Sequence, residues 1–385
     1  MNMDAAKIEA AVTPSTSATN PAAQPDEEVQ HSATEDERLF VSVIIPSYNY
    51  EDFLAAAIDS ALGLDWPDVE VVVVDDGSSD NSRAIIEAYG NRLAAIVYQR
   101  NAGHAAACNA GFARSRGNVV IFLDADDVLH SSLVRELAKV WHSGISKVQF
   151  QMRTIDADGR PFGGVFPQYH VVPSPAQVRR WASTTYTYPA PPGSGNAYSR
   201  EFLNKLFPLD GSCGTAGDTY CIVAAPYFGQ VLTIPKPLVS YRIHGRNQSA
   251  LSRLDSPRFG MEVARALQGF AFAQRVAATV GVEVPAQAVN RSLILLPYRL
   301  ASLRLAREHH PIAADSMASV LGDVTRAAFM PQGMALQARV VIWAWAWLVA
   351  LTPLFIAQRL ILWRFAAVRR PDLLRSVLIR FRVVR

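Results

Sequence analysis

Apolar and polar residues alternate in regular blocks between about residues 40 and 140. Short apolar runs rich in β-branched residues, such as Val119 to Leu123, have no polar break, which is typical of strands buried on both faces in a parallel sheet. The segments between these runs carry apolar residues at helical spacing, most clearly Phe53, Leu54, Ala57, Ile58, Ala61 and Leu62. This alternation predicts an α/β fold with a doubly wound, mostly parallel sheet.

Each of four predicted strands runs into polar residues. Those at or just beyond the strand ends are Tyr48, Asp75, Asn101 and Asp124. The carboxyl ends of parallel strands lie along one edge of a sheet, and ligands of such sheets bind beyond that edge. The pattern therefore predicts a nucleotide site there.

The rest of the chain predicts different structures. Ile155 to Pro161 has the turn residues of a β-hairpin, and Thr184 to Asn196 is a loop rich in Pro, Gly, Thr and Tyr. Together with Trp181, this loop offers flat faces and hydroxyls of the kind that hold sugars, and it forms either such a binding wall, here called the acceptor wall, or an ordinary surface loop. Helical spacing returns after about residue 257. The predicted divisions are a disordered tail at 1–38, an α/β domain at 39–250, a helical appendage at 251–335 and a membrane-associating segment at 336–385.

The last segment combines an apolar stretch with a basic end. Val340 to Ala357 carries no charge and is just long enough to be a candidate membrane span. Its spaced tryptophans and Pro353 favour a segment that dips into the lipid headgroups, while the arginines that follow bind anionic lipid. These are Arg359, Arg364, Arg369, Arg370, Arg375, Arg380, Arg382 and Arg385, against the single acid Asp372. A buried core helix is the alternative.

Composition places the chain among folded proteins. It has 385 residues, of which 50% are hydrophobic and 18% charged, with a net charge of +3. The first 38 residues are acidic, contain no apolar core of a signal peptide, and are expected to be disordered. Cys108, Cys213 and Cys221 form no C-x-x-C pair, which excludes a zinc-ribbon motif and favours a reducing cytoplasmic setting. No nucleic-acid partner is expected.

A compact acidic motif follows the fourth predicted strand. Asp124 and Asp126 are one residue apart, and Asp127 follows directly. Neighbouring carboxylates are costly unless a cation neutralises them, and Mg²⁺ or Mn²⁺ takes oxygen ligands of this kind. The motif indicates either a divalent metal that holds a phosphate or simply a polar loop after a buried strand.

Two common nucleotide-binding motifs are absent, since the chain has neither G-x-G-x-x-G after its first strand nor a P-loop. The order of motifs instead resembles the family 2 inverting glycosyltransferases, which have the GT-A fold. The resemblance covers about residues 40 to 250. The matching motifs are V-S-V-I-I-P-S-Y-N, V-V-V-V-D-D-G-S-S-D, N-A-G-H-A-A-A-C-N-A-G, F-L-D-A-D-D, A-G-D-T-Y and Y-R-I-H.

This resemblance implies roles for particular residues. Asp126 and His244 would hold a divalent metal, Mn²⁺ or Mg²⁺. The expected donor is a nucleotide sugar, with UDP as the nucleotide. Tyr48 would stack on its base, and Asp75 would accept a base N–H. The complete set expected to bind the nucleotide sugar is Pro46, Tyr48, Asn49, Asp75, Asp76, Asn101, Gly103, Asn109, Asp124 and Ala125.

The general base maps to Asp218, because the family has an acid just before a helix at this position. Asp218 would also suit the N-cap of a helix that begins at Thr219, and the sequence does not separate these two roles. Many family members carry Glu immediately before this Asp, whereas Gly217 stands there in this chain.

The resulting expectation is a metal-dependent inverting glycosyltransferase, cytoplasmic and peripheral or monotopic on the inner face of the membrane. Its acceptor would be a glycan, and a lipid-linked glycan in polysaccharide synthesis is favoured. One alternative is a haloacid-dehalogenase-type phosphohydrolase, because D-A-D-D-V from Asp124 also fits that nucleophile loop. Another is an inactive nucleotide-sugar-binding partner of a second transferase.

Overall fold

Four parallel strands form the first half of the sheet. The structure is a computed structural model that describes residues 39–211, 217–245 and 255–365. Their order is β3-β2-β1-β4, with all three pairings parallel. The strands are β1 (Val41–Ser47), β2 (Val69–Asp75), β3 (Ala95–Tyr98) and β4 (Val119–Phe122). The connecting helices are α1 (Leu54–Leu62), α2 (Ser82–Tyr89) and α3 (His104–Arg114). This half confirms the predicted alternation of strands and helices.

The second half of the sheet is mixed. Beyond β4 the order continues as β8-β6-β9-β5, and β7 pairs with β6. Only β6 and β9 are parallel here. The strands are β5 (Val128–Leu129), β6 (Ile145–Ile155), β7 (Pro161–Phe166), β8 (Asn196–Ser199) and β9 (Gln230–Arg242). The sheet is thus less parallel than predicted, because β8 runs against both of its neighbours, and the hairpin predicted at Ile155 connects β6 to β7.

The helices of this half lie between those strands along the chain. They are α4 (Leu133–Ala138), α5 (Pro175–Thr185), α6 (Arg200–Asn204) and α7 (Gly217–Phe228). The predicted loop at Thr184 to Asn196 therefore begins inside the last turn of α5. The α/β fold class that the GT-A resemblance implies is confirmed.

The central strands are buried on both faces, as the apolar runs predict. All seven residues of β1 and all four of β4 are buried. Alternate side chains enter different clusters, since Ile44 and Val120 pack on one face while Val43 and Ile121 pack on the other. Full burial of each such side chain contributes roughly 1.5–3 kcal/mol. Strands held in this way fix the positions of the polar residues at their ends.

Five helices make up the rest of the described chain: α8 (Ser256–Thr279), α9 (Leu296–Leu305), α10 (Met317–Ala328), α11 (Leu336–Leu351) and α12 (Leu354–Phe365). Helix α8 contributes Val263 and Ala273 to the same core cluster as Ile44 of the sheet. Helices α9 to α12 share a further cluster, to which α8 contributes Phe259. The predicted boundary near residue 250 is therefore a change of secondary structure beside a shared core.

The apolar stretch Val340 to Ala357 is two helices and not one. It breaks at Thr352 and Pro353, because proline lacks an N–H and forces the preceding residue to be extended, and Thr352 has ψ 156°. Ile342, Ala346 and Val349 are buried against the other helices. The core-helix alternative thus holds for one face of this segment. Over the described ranges, no helix combines the length and apolarity needed to cross a bilayer.

Several predictions fall outside the described residues. These concern the disorder of residues 1–38, Cys213, and the basic run Arg369, Arg370, Arg375, Arg380, Arg382 and Arg385 with Asp372. The other two cysteines, Cys108 and Cys221, are buried thiols, as expected of small core residues.

Candidate functional site

Three aspartates converge just beyond the end of β4. One carboxylate oxygen from each of Asp124, Asp126 and Asp127 lies within 4.8 Å of the others. Asp126 and Asp127 are buried, whereas Asp124 is partly exposed. These three carboxylates lie close together because all three residues belong to the same turn, directly after the buried strand.

The surroundings of Asp124 and Asp127 disfavour their charged forms. Burial, followed by repulsion from Asp126 and Asp124, raises the pKa of Asp127 well above its ordinary value. Burial is also the main cause of the raised pKa of Asp124, and Asp126 and Asp218 add to it. A cation among these oxygens would oppose the repulsion. Within the described ranges, Asp127 Oδ2 is buried with no hydrogen-bond partner, so the donor set fits a hard divalent ion.

The Y-R-I-H segment at the end of β9 packs against the acidic turn. His244 Nε2 lies 3.0 Å from Asp126 Oδ2, and the two side chains are 3% and 9% exposed. Arg242 donates its backbone N–H to Asp127 Oδ1 at 3.0 Å and its Nε–H to the Asp126 carbonyl at 2.9 Å. Two motifs that are more than 100 residues apart in sequence therefore form one structure, with both predicted metal ligands in it.

The predicted base-binding residues are neighbours on the sheet edge. Ser47 pairs with Asp75 across β1 and β2, which puts Tyr48 at the same edge as Asp75. The Tyr48 side chain is 45% exposed, as a stacking surface must be, while Asp75 is buried and accepts the Ser78 N–H. Asn49 has a φ of 59° and accepts the Ser79 N–H, so it shapes the turn after β1.

Three other predicted nucleotide residues lie where loops are held in place. Asp76 accepts the N–H groups of Ala102 and Gly103, each at 2.9 Å, and thereby fixes the loop after β3. Gly103 has a φ of +88°, a conformation that favours glycine. Asn109 exchanges two hydrogen bonds with the backbone of Leu209.

The remaining three predicted nucleotide residues differ in exposure. Asn101 is exposed in the loop after β3. Pro46 and Ala125 are buried in the backbone that bears the site, so only their main chains could face a ligand.

The candidate base lies in the first turn of α7. This helix begins at Gly217, so Asp218 is inside the helix and is not the N-cap of a helix that begins at Thr219. Asp218 Oδ2 accepts the Gly193 N–H at 3.2 Å. The carboxylate is only partly buried, which leaves it accessible to a substrate hydroxyl.

His104 explains why glycine precedes this aspartate. The Gly217 N–H donates to His104 Nδ1 at 3.1 Å, while His104 Nε2 lies 3.5 Å from Asp124 Oδ1. A Cβ on Gly217 would lie 3.1 Å from Cys108 Sγ and 3.2 Å from His104 Nδ1. A glutamate there would press its Cβ against both side chains, which would have to shift by a few tenths of an ångström. The sequence showed the departure at Gly217, but it did not connect it with His104.

A short turn at Gly193 to Gly195, within the predicted loop at Thr184 to Asn196, also reaches the site. The Asp124 N–H donates to Ser194 Oγ at 3.0 Å. A Cβ on Gly193 would lie only 3.2 Å from Asp124 Oδ2. In the sequence, this turn is marked only by G-S-G, with two prolines before it and a polar residue after it. By contrast, Trp181, Tyr186 and Tyr188 are buried in the core, so these three side chains do not supply exposed faces to the predicted acceptor wall.

Comparisons with known proteins agree with these motifs. The family model described as Glycosyl transferase family 2 matches residues 42–207. An uncharacterised glycosyltransferase, alr2836 of Nostoc, is 34% identical over 268 residues, which cover 67% of this chain and 77% of that protein. EpsJ of Bacillus subtilis, also an uncharacterised glycosyltransferase, is 39% identical over 101 residues, or 26% of this chain and 29% of that protein.

Solved structures resemble the chain more distantly. Staphylococcus aureus TarS 1-349, solved with UDP-GlcNAc, has a TM-score of 0.47 and 17% identity, over 83% of this chain and 90% of that one. The mannosyltransferase PcManGT of Pyrobaculum calidifontis, solved with GDP-Man and Mn²⁺, has a TM-score of 0.48 and 20% identity, over 86% and 87% of the two chains. At these scores the likeness carries no argument about ligands.

The Nostoc relative settles the family, because the similarity extends over most of both proteins. The haloacid-dehalogenase alternative falls with it, since Asp124 ends the fourth strand of the chain and not the first. With its motifs assembled at one sheet edge, the chain belongs to glycosyltransferase family 2.

Proposed function

We propose that this enzyme is a metal-dependent inverting glycosyltransferase that moves a sugar from a nucleotide donor to an acceptor hydroxyl. The observation that carries the proposal is the position of Gly193. Its N–H binds Asp218, and a Cβ on Gly193 would lie 3.2 Å from Asp124 Oδ2, so this residue is close to both acids. Asp218 and the acidic cluster after β4 therefore border the same space. A displacement in a single step requires its base and its leaving-group site to be arranged in this way.

Asp218 is the group that removes the proton from the acceptor hydroxyl. It is partly exposed, and the Gly193 N–H orients one of its oxygens. A base on the side of the sugar opposite the nucleotide gives inversion in one step. A positioned base of this kind contributes about 10²- to 10⁴-fold to the rate.

The aspartates just beyond the end of β4 would hold a divalent ion at the diphosphate end of the donor. Asp126 and Asp127 would supply carboxylate oxygens, with His244 beside Asp126. A bound Mn²⁺ or Mg²⁺ supplies charge stabilisation to the departing diphosphate. Tyr48 stacks on the nucleobase of the donor, and Asp75 accepts one of its N–H groups. We propose that this nucleobase is uracil.

We also propose that the enzyme works at the cytoplasmic face of a membrane on a lipid-linked glycan. The support is an apolar surface at the turn between α11 and α12, which we call the hairpin tip: Leu348, Leu351, Leu354, Phe355 and Ile356, all exposed. Exposed apolar residues gathered in this way are unusual on a soluble protein. From 336 to 365 the only charged residues are Arg339, Arg359 and Arg364, so the surface suits an anionic bilayer.

A panel of nucleotide sugars, each with and without Mn²⁺, tests the donor by thermal stabilisation of the full chain. We expect a UDP-sugar to raise the melting temperature only when the metal is present. Transfer to a hydroxyl acceptor then tests catalysis, and Asp218→Asn should lower it about 10²- to 10⁴-fold while donor binding persists.

The matched control is Asp158→Asn, which changes an exposed aspartate on the β6–β7 hairpin. It should leave both binding and transfer unchanged. Metal-dependent binding without transfer to any of a range of acceptors would instead favour the inactive partner. Near-normal transfer by Asp218→Asn would remove Asp218 as the base.

A further inference from the structure

A lysine is fully buried in the middle of the sheet, next to the candidate site. Lys147 of β6 has no exposed surface. Its Nζ donates to Gln149 Oε1 at 3.0 Å and to Asn196 Oδ1 at 2.9 Å, and it lies 5.0 Å from the centre of the Tyr188 ring. Burial lowers the pKa of Lys147 well below its usual range. Burial of an amine costs free energy unless hydrogen bonds compensate, and here the two side-chain oxygens provide them.

Asn196 connects this amine to the turn at Gly193. Its Oδ1 accepts from Lys147, so its Nδ2 faces the other way, towards backbone carbonyls. Nδ2 donates to the carbonyls of Pro191, Pro192 and Gly193 at 3.3, 3.0 and 3.1 Å. One buried amide thus gathers three consecutive carbonyls of a segment whose prolines have no N–H to donate.

The turn that Asn196 holds makes hydrogen bonds to two acids of the candidate site. Gly193 donates to the carboxylate of Asp218 at 3.2 Å, and Ser194 accepts the N–H of Asp124 at 3.0 Å. The turn lies so close to Asp124 that a Cβ on Gly193 would be 3.2 Å from its carboxylate. A change in the orientation of the Asn196 amide would therefore move the hydrogen bond that orients Asp218.

We propose that Lys147 is a positioning residue for Asp218 and acts through Asn196. By donating to Asn196 Oδ1, Lys147 fixes which end of the amide faces the turn, and so fixes the Gly193 N–H that holds the carboxylate. This rests on the proposed role of Asp218 as the base. Misplacement of a catalytic group by about 1 Å can cost about 10²-fold in rate.

Two variants break the connection at different points. Lys147→Met keeps an unbranched apolar side chain and removes the donor to Asn196. Asn196→Asp keeps an acceptor for Lys147 but removes the donor to the three carbonyls. Each should lower kcat for transfer about tenfold to hundredfold, with the Kd of the nucleotide sugar changed by less than about threefold. The double variant should lose little more than either single one, because the two residues act in series.

The decisive measurement places each variant in the Asp218→Asn background. If Lys147 acts through the Asp218 carboxylate, Lys147→Met should lower kcat little further there. A merely structural role would lower kcat by the same factor in both backgrounds. Val324→Ala, which opens a cavity among the C-terminal helices, is the control for stability loss, and it should leave kcat unchanged.

The outcomes separate this proposal from the one on which it rests. If Asp218→Asn lowers transfer but Lys147→Met and Asn196→Asp have normal kcat, or lower it equally in both backgrounds, the positioning role is wrong. Normal transfer in Asp218→Asn overturns the base assignment, and the positioning role falls with it. If Lys147→Met fails to fold, Asn196→Asp alone decides, since its aspartate can pair with the Lys147 amine.

Discussion

The hairpin tip allows a direct test of membrane association by Leu351→Ser combined with Phe355→Ser. The two side chains are 75% and 65% exposed in the free protein. Full burial of a side chain of this size is worth roughly 1.5–3 kcal/mol, so insertion of their exposed parts would contribute about 1–2 kcal/mol each. The double variant should therefore weaken binding by about 2–4 kcal/mol, which is about 30-fold to several hundredfold in Kd.

Sedimentation of the full chain with vesicles of phosphatidylcholine and phosphatidylglycerol measures this loss. High salt should weaken wild-type binding but not abolish it, because salt screens the arginines and not the apolar contacts. Val171→Ser with Val172→Ser is the matched control, since both valines are exposed far along the chain from the tip. Binding by the tip variant equal to that of wild type, or no wild-type binding at all, would refute the reasoning.

Point variants are more informative here than truncation before α11. Ile342, Ala346 and Val349 are buried among the other C-terminal helices. Removing α11 would expose the core that they cover, at about 2–5 kcal/mol for each large apolar side chain lost. Unfolding of a truncated chain would then give no information about lipid binding. The exposed tip residues can be replaced without this cost, so the melting temperature of the tip variant should match that of wild type.

Three further predictions concern the acidic turn and the strands behind it. Asp126→Ala should abolish the Mn²⁺-dependent part of nucleotide stabilisation in a thermal shift assay, and unchanged metal dependence would contradict its role as a ligand. Gly217→Glu should lower both transfer and melting temperature because its Cβ would press against the His104 and Cys108 side chains, so normal activity would contradict the packing. Glu70 accepts hydrogen bonds from Ser42 Oγ and from the backbone N–H groups of Arg116 and Gly117. Burial opposes ionisation of Glu70, but these bonds prevail and lower its pKa. Its stabilisation is thus present above the ordinary glutamate pKa and lost as pH falls through the lowered value. Glu70→Gln should cost about 1.5–3 kcal/mol at pH 7 in urea unfolding, with the difference shrinking below about pH 4.

The sequence by itself determined the parallel half of the sheet and the acids at its edge. Apolar runs such as Val119 to Leu123 bury both faces, and that requirement is local, so it can be recognised without knowing the partners. Asp75 and Asp124 come directly after such runs, and parallel pairing then places them on the same edge. The order of the motifs along the chain was likewise enough to identify the family.

Only the tertiary structure decided what surrounds those acids. Gly193, Ser194 and His104 reach the site through contacts between residues 25 to 113 positions apart in sequence. A turn of Pro, Gly and Ser has no periodicity that would show which strand it packs against. The apolar segment after Val340 was ambiguous for a related reason. Its composition is the same on both faces, and only packing against α9 and α10 decides which face is core and which is exposed.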